Sequence, residues 1–286
     1  MVTEVMNKPQ TKVYKKKFDW KKLLANIYIY LMLLLMYAPI ILLIVYSFND
    51  SKQIGRWTTT SIDSYIKLFN VSKYPQSQKI WEAVGNTALV AIVSSLLSTI
   101  LGTVGAIGMF YSKKKIRTVM DFVTQIPVVN AEIVMALSIC MLFVFFRLPF
   151  SFFTLIIGHM VLGLPFVVLS VQPKLAQMDP NLYEAAMDLG ATPTKALFKV
   201  ILPEILPGVI SGFMLSVTLS LDDYVITAFT MPNDGQFNTI STYVEQITKK
   251  SSLPVQLRAF TTILFVIILV VMIVYTIRVN KKERAK

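Results

Sequence analysis

Six apolar runs constrain this chain more than any other feature, because each is long enough to cross a hydrocarbon core about 30 Å thick as a helix of about 20 residues. They extend from Ile27 to Phe48, Asn86 to Tyr111, Val119 to Phe146, Phe150 to Val171, Ile205 to Thr230 and Ala259 to Ile277. Inside lipid each backbone amide must find its partner within its own segment. The pattern therefore predicts an all-α, polytopic membrane protein with six transmembrane helices. Only 15% of the residues are charged and 55% are hydrophobic, where soluble domains are about one quarter charged.

Lys and Arg collect on the cytoplasmic side of membrane proteins. With the N-terminus inside, 19 of the 28 basic residues fall on inner segments and nine on outer ones. Both termini and the segment between the fourth and fifth runs are thus expected in the cytoplasm. The expected organisation is a basic tail over 1–26, a six-helix domain over 27–277 and a second basic tail over 278–286. The net charge of +12 does not point to nucleic acid, since the clusters "YKKKFDWKK" and "SKKKIR" directly abut apolar runs and suit anionic membrane lipids of the inner leaflet. The first run is longer than a signal-peptide core and lacks a small-x-small cleavage pattern, so it is expected to stay as the first span. A single cysteine, Cys140, excludes an intrachain disulfide.

Two long outer connections, Asn49 to Lys79 and Met231 to Leu257, are each expected to hold a short helix. The second run carries Ser94, Ser95, Ser98, Gly102, Gly105 and Gly108 at helical spacing, a small-residue face against which another helix can pack closely. Catalysis has little support: no G-x-S-x-G, H-E-x-x-H or Walker pattern occurs. The only histidine, His159, reads as a hydrogen-bonding residue between helices. No cofactor is expected.

The segment "EAAMDLGATPTKALFKVILP", Glu184 to Pro203, interrupts this apolar chain. Asp179-Pro180 is a helix start signal, Gly190 a stop, and Thr192-Pro193 a second start. Two short helices meeting at a glycine elbow are expected, the second ending towards Pro203. Leu182, Ala185, Ala186 and Leu189 share one face of the first helix, and Leu197, Val200 and Ile201 one face of the second. Helices this short need something to pack against, either their own membrane domain or a partner that closes around the alanines.

The spacing E-A-A, three residues, Gly190, nine residues, a β-branched aliphatic, one residue, L-P resembles the cytoplasmic EAA motif of ABC importer permeases, with Val200 where isoleucine is usual. The flanks "HMVLGLPFVVLSVQPKL" and "LSLDDYVITAF" are similar to the C-type permease of the spermidine/putrescine (polyamine) importers, and the similarity extends over all six runs. The resemblance implies a type I importer permease fold in a bacterial plasma membrane. It makes 179–203 the coupling loop, with Glu184, Ala185, Ala186, Gly190, Leu202 and Pro203 meeting an ATPase. It further implies an unlike permease subunit, two copies of the ATPase subunit and an extracytoplasmic polyamine-binding protein.

Only three charged residues fall well inside the runs, and all are acidic: Glu132, Asp222 and Asp223. An intramembrane carboxylate costs about 2.5–3.5 kcal/mol on insertion scales and is a functional candidate by default. Counted from the inner helix ends, Glu132 lies roughly 20 Å and Asp222 roughly 26 Å in, within reach of cargo arriving from outside. Fixed carboxylates suit a cargo with several ammonium groups. Pairing within the bundle stands as a structural reading for Glu132. Asp222 and Asp223 point about 100° apart on a helix, so one of the two is expected to face a cavity. Tyr224 adds an aromatic face for cation–π contact. The function expected is a polyamine permease subunit. Alternatives are an ABC permease for ferric ion, thiamine or a phosphonate, a secondary transporter, and an intramembrane enzyme.

Overall fold

The computed structural model describes residues 20–51, 56–232, 237–250 and 254–284; of the expected basic tails, 1–19 and 285–286 lie outside these. Twelve α-helices follow one another among the described residues: α1 (Trp20–Ser47), α2 (Asp63–Phe69), α3 (Pro75–Phe110), α4 (Lys114–Val129), α5 (Glu132–Phe145), α6 (Phe152–Gln177), α7 (Leu182–Asp188), α8 (Pro193–Ala196), α9 (Leu202–Asp222), α10 (Val225–Thr230), α11 (Ile240–Lys250) and α12 (Val255–Arg284). Five helical stretches are long and apolar enough to span a membrane, and a sixth arises if α4 and α5 form one span. The short helices expected in the two outer connections are α2 and α11.

Two of the six runs are broken. α4 and α5 meet at a bend of 108°, where Asn130 and Ala131 are extended with ψ 148° and 134°. The fifth run stops at Asp222, and Asp223 is extended with ψ 132° before α10 begins. Hydropathy averaged over a run does not register either break, because apolar side chains dominate on both sides of Asn130 and of Asp222-Asp223. α3 is also longer than its apolar run: Pro75 occupies its first turn, where a missing N–H costs nothing, and the helix continues for 36 residues.

The core is a three-helix packing of α3, α6 and α9. Ser94, Ser95 and Ser98 are fully buried there, and a methyl group placed on Gly102 would come within 2.8 Å of Val167 Cγ1. One placed on Gly163 would come within 2.9 Å of Ser98 Oγ, so the helices approach at backbone distance on both sides of the contact. The small-residue face ends sooner than expected: Gly105 and Gly108 have open space beyond them. A second cluster, formed by Leu68, Ile80, Ala83, Tyr243, Leu257 and Ala259, joins α2, α3, α11 and α12 at the opposite end from Gly190. Buried Asn49 braces that end, donating to Arg56 O at 2.7 Å while its Oδ1 accepts from the Thr58 hydroxyl at 3.1 Å. α1 is almost wholly exposed along its apolar length.

Candidate transport recess and docking elbow

The two breaks lie side by side. Asn130 and Glu132 from the α4–α5 break, Phe166 from α6, and Thr218, Asp222 and Asp223 from the α9 end line one recess of about 280 Å³. The structure thus brings together all three acidic residues singled out in the sequence. That volume is at the low end for a small-molecule site. Glu132 and Asp222 are exposed, whereas Asp223 is 4% exposed. Phe166, Asn130 and Thr218 escaped the sequence reading; the hint available was a proline and an asparagine, Pro127 and Asn130, just ahead of Glu132 in an otherwise apolar run.

Asp223 is engaged from several directions. It accepts the backbone N–H of Ile226 at 3.1 Å and of Thr227 at 2.8 Å, and the Thr227 hydroxyl at 2.8 Å. These bonds satisfy the free amides at the start of α10. With its hydrogen given to Asp223, the Thr227 hydroxyl offers only lone pairs to His159 Nε2 at 2.9 Å. Nε2 is therefore the proton-bearing nitrogen of that contact. Nδ1 pairs with the Ser220 hydroxyl at 2.8 Å, and Nε2 stands 3.5 Å from Asp223 Oδ2. The expected role of His159 as an interhelical hydrogen-bonding residue is thereby realised, tying α6 to α9 and α10. Its partners lie far apart in sequence, which is why no local pattern marked them.

Tyr224 lies outside the recess lining and is 37% exposed. Its phenol meets Glu245 of α11. Lys249 first, and Tyr224 after it, hold that carboxyl below the usual carboxylate range.

At the other end of the molecule, Gly190 has φ +83°, the left-handed conformation that favours glycine. The Ala191 N–H donates to Ala186 O at 3.1 Å and the Gly190 N–H to Met187 O at 2.9 Å, the pair of bonds that closes a Schellman stop. Thr192 is extended, and Pro193 opens α8 as its first residue. The expected elbow is present, with three corrections. The first helix starts at Leu182, because Asp179 turns the chain by accepting the Asn181 N–H at 2.9 Å instead of capping the helix. The second helix does not end near Pro203. It passes through a π turn, Leu197–Ile201, straight into α9, and the widened turn accommodates the N–H that Pro203 lacks. The expected shared face of α7 divides: Leu182 packs on the core and Ala186 is buried, whereas Ala185 and Leu189 point away, Leu189 being 90% exposed. Glu184, Pro203 and Phe198 are exposed as well, and Leu202 is half-buried. The elbow is seated on its own domain by one side and bare on the other.

Comparison with known proteins matches residues 98–283 to the family described as binding-protein-dependent transport system inner membrane component. The spermidine/putrescine transport system permease protein PotC of Haemophilus influenzae is 32% identical over 206 residues, covering 72% of this chain and 78% of that protein. PotC of Escherichia coli K12 is 31% identical over 250 residues, covering 87% and 89%. In fold, the chain resembles a component of a bacterial ABC transporter involved in import of the acidic polysaccharide alginate, with a TM-score of 0.65 at 15% identity, over 94% of this chain and 99% of that one. The chain belongs to the binding-protein-dependent transport system inner membrane components: it is a multi-pass plasma-membrane permease subunit of an ABC importer, which works with a separate ATPase and a substrate-binding protein.

Proposed function

We propose that this subunit imports polyamines, forming half of the path for spermidine or putrescine. The observation that carries the reading is the convergence of Glu132 and Asp222, both exposed, on one recess in the membrane domain. Two carboxylates offset the lost hydration of a cargo bearing several ammonium groups, and in a medium of reduced dielectric their attraction to it is strong. Phe166 adds an aromatic face to the same wall. The names of the relatives support the same cargo. In this reading Glu132 and Asp222 meet the cargo, while Asp223 and Tyr224 fix the chain end behind them. An unlike permease completes the recess, a polyamine-binding protein delivers to it, and one of the two copies of the ATPase subunit receives the bare side of the elbow at Glu184, Ala185, Leu189 and Gly190. Access then alternates between the two membrane faces as the ATPase subunits close and open.

Reconstitution of the complete importer in proteoliposomes tests the cargo. Uptake of labelled spermidine or putrescine, uncompeted by ferric ion, thiamine or a phosphonate, is the expected result; ATP-dependent uptake of one of those solutes instead would overturn it. Orientation is tested in a Cys140→Ser background. A cysteine at Ser72 is expected to react with an impermeant thiol reagent from outside and one at Thr192 to be protected, and the reverse pattern contradicts the N-inside arrangement.

A further inference from the structure

α11 lies beside the α9–α10 corner, at the end of the domain opposite the Gly190 elbow, and is held there from two sides. Its start is tied to α3: the Thr87 hydroxyl accepts the Ile240 N–H at 2.8 Å, and the Asn86 amide donates to Asn238 O at 3.0 Å. Tyr243 on this side is buried in the second cluster. On another face Ser241, Glu245 and Lys249 stand four residues apart and so form one row. That row faces the corner. The Ser241 hydroxyl donates to Asp223 O at 2.8 Å, the Tyr224 phenol donates to the Glu245 carboxylate, and the Lys249 ammonium pairs with the same carboxylate.

Glu245 is thus joined by one tyrosine side chain to the backbone that carries Asp222 and Asp223 of the acidic recess. Its ion-pair partner has a telling chemistry. A lysine side chain is an ammonium on a four-carbon stem, the same group as the aminobutyl arm of putrescine and of spermidine. An ion pair between neighbouring turns of one helix adds little stability, so its cation exchanges for another at small cost. We propose that Glu245, positioned by Tyr224, is an outer station for one ammonium of the cargo ahead of the recess, and that Lys249 fills it as a tethered stand-in until cargo arrives. The proposal rests on the polyamine reading above. A cargo with several ammonium groups replaces Lys249 at Glu245 with one of them while another reaches towards Asp222 and Glu132, so its charge is never without a carboxylate on the way in. Lys249, on its flexible stem, turns to water meanwhile and returns to Glu245 once the cargo has moved on.

The test uses the complete importer in proteoliposomes, with initial uptake of labelled putrescine and spermidine measured at polyamine-loaded binding protein below saturation and normalised to assembled complex. Glu245→Gln and Lys249→Met both abolish the ion pair, so a pair that only braces α11 requires them to act in the same sense. The station requires opposite senses. Glu245→Gln is expected to lower uptake about twofold to fivefold, because the cargo loses its anion, and Lys249→Met to raise it by a similar factor, because the cargo loses its competitor. The double variant is expected to follow Glu245→Gln. A second arm restores charge: in a Cys140→Ser background, Glu245→Cys labelled with an ethylsulfonate thiosulfonate reagent is expected to recover uptake, and labelled with an ethyltrimethylammonium one to lose more. Changes of the same sign in the two single variants, wild-type uptake in both, or equal effects of the two labels would overturn the station. Failure of the underlying reading is distinguishable, because the unmodified complex would then take up neither polyamine.

Discussion

The two breaks beside the acidic recess have the same outward form and opposite support. At the α9–α10 break, a buried carboxylate accepts three hydrogen bonds, and His159 ties the turn to α6. At the α4–α5 break no side chain caps the start of α5; Glu132 ties its α5 side across the recess to Asp223, but the residues on its α4 side are unburied. Satisfied buried polar networks rigidify the backbone they hold, whereas backbone held by neither burial nor side-chain bonds is free to open locally. One break is thus a fixed corner and the other, on its α4 side, a hinge.

Replacing the carboxylate at the fixed corner is expected to have the largest effect on stability. Asp223→Ala removes the acceptor for two amides and a hydroxyl and strands His159, a loss of about 3 kcal/mol or more. Thermal unfolding of the purified complex reads this directly, and a melting temperature within a degree of wild type would mean that the corner is not held by Asp223. His159→Phe keeps a ring of similar bulk but leaves the Ser220 and Thr227 hydroxyls without their partner, for about 1–3 kcal/mol. Its loss should fall below that of Asp223→Ala, and a larger loss would reverse the order of the two residues in the network.

The hinge should respond in the opposite sense. Ala131 has φ −64° and the preceding Asn130 is extended with ψ 148°, so proline fits at 131 without strain. Ala131→Pro should leave stability unchanged or raise it by about 0.4–1 kcal/mol through the unfolded state, while slowing uptake several-fold because the break is stiffened. Full transport activity in this variant would remove the hinge from the account.

Much of this architecture was legible from residue types alone, for reasons that can be traced. Span count follows from apolar length, and the elbow follows from Gly190 and Thr192-Pro193, whose backbone preferences are local and strong. Ser94, Ser95, Ser98 and Gly102 announced a close helix contact because small size acts wherever the chain runs. The unread parts depend on long-range partners. That Asp222 and Asp223 differ follows from their separation of about 100° on a helix, but that Asp222 is the exposed one and Asp223 is buried against Thr227 and His159 is set by the fold. Hydropathy sums side chains and is blind to two extended residues at Asn130 and Ala131. The π turn before Pro203 also escaped, because proline was read as an end where the helix instead widened to pass it.

The smallest stability change is expected at the exposed carboxylates, and there the functional change should be large. Glu132→Gln with Asp222→Asn keeps side-chain volume, and the glutamine amide can still hydrogen-bond buried Asp223 in place of Glu132, so unfolding should shift by only about 0.5–1 kcal/mol. Uptake of labelled spermidine and putrescine by assembled complexes, measured beside cargo binding to the separate binding protein, tests the central claim most directly. The account predicts a fall in uptake of roughly tenfold or more with cargo capture by the binding protein intact. Wild-type uptake by the double variant would contradict an acidic path for the cargo.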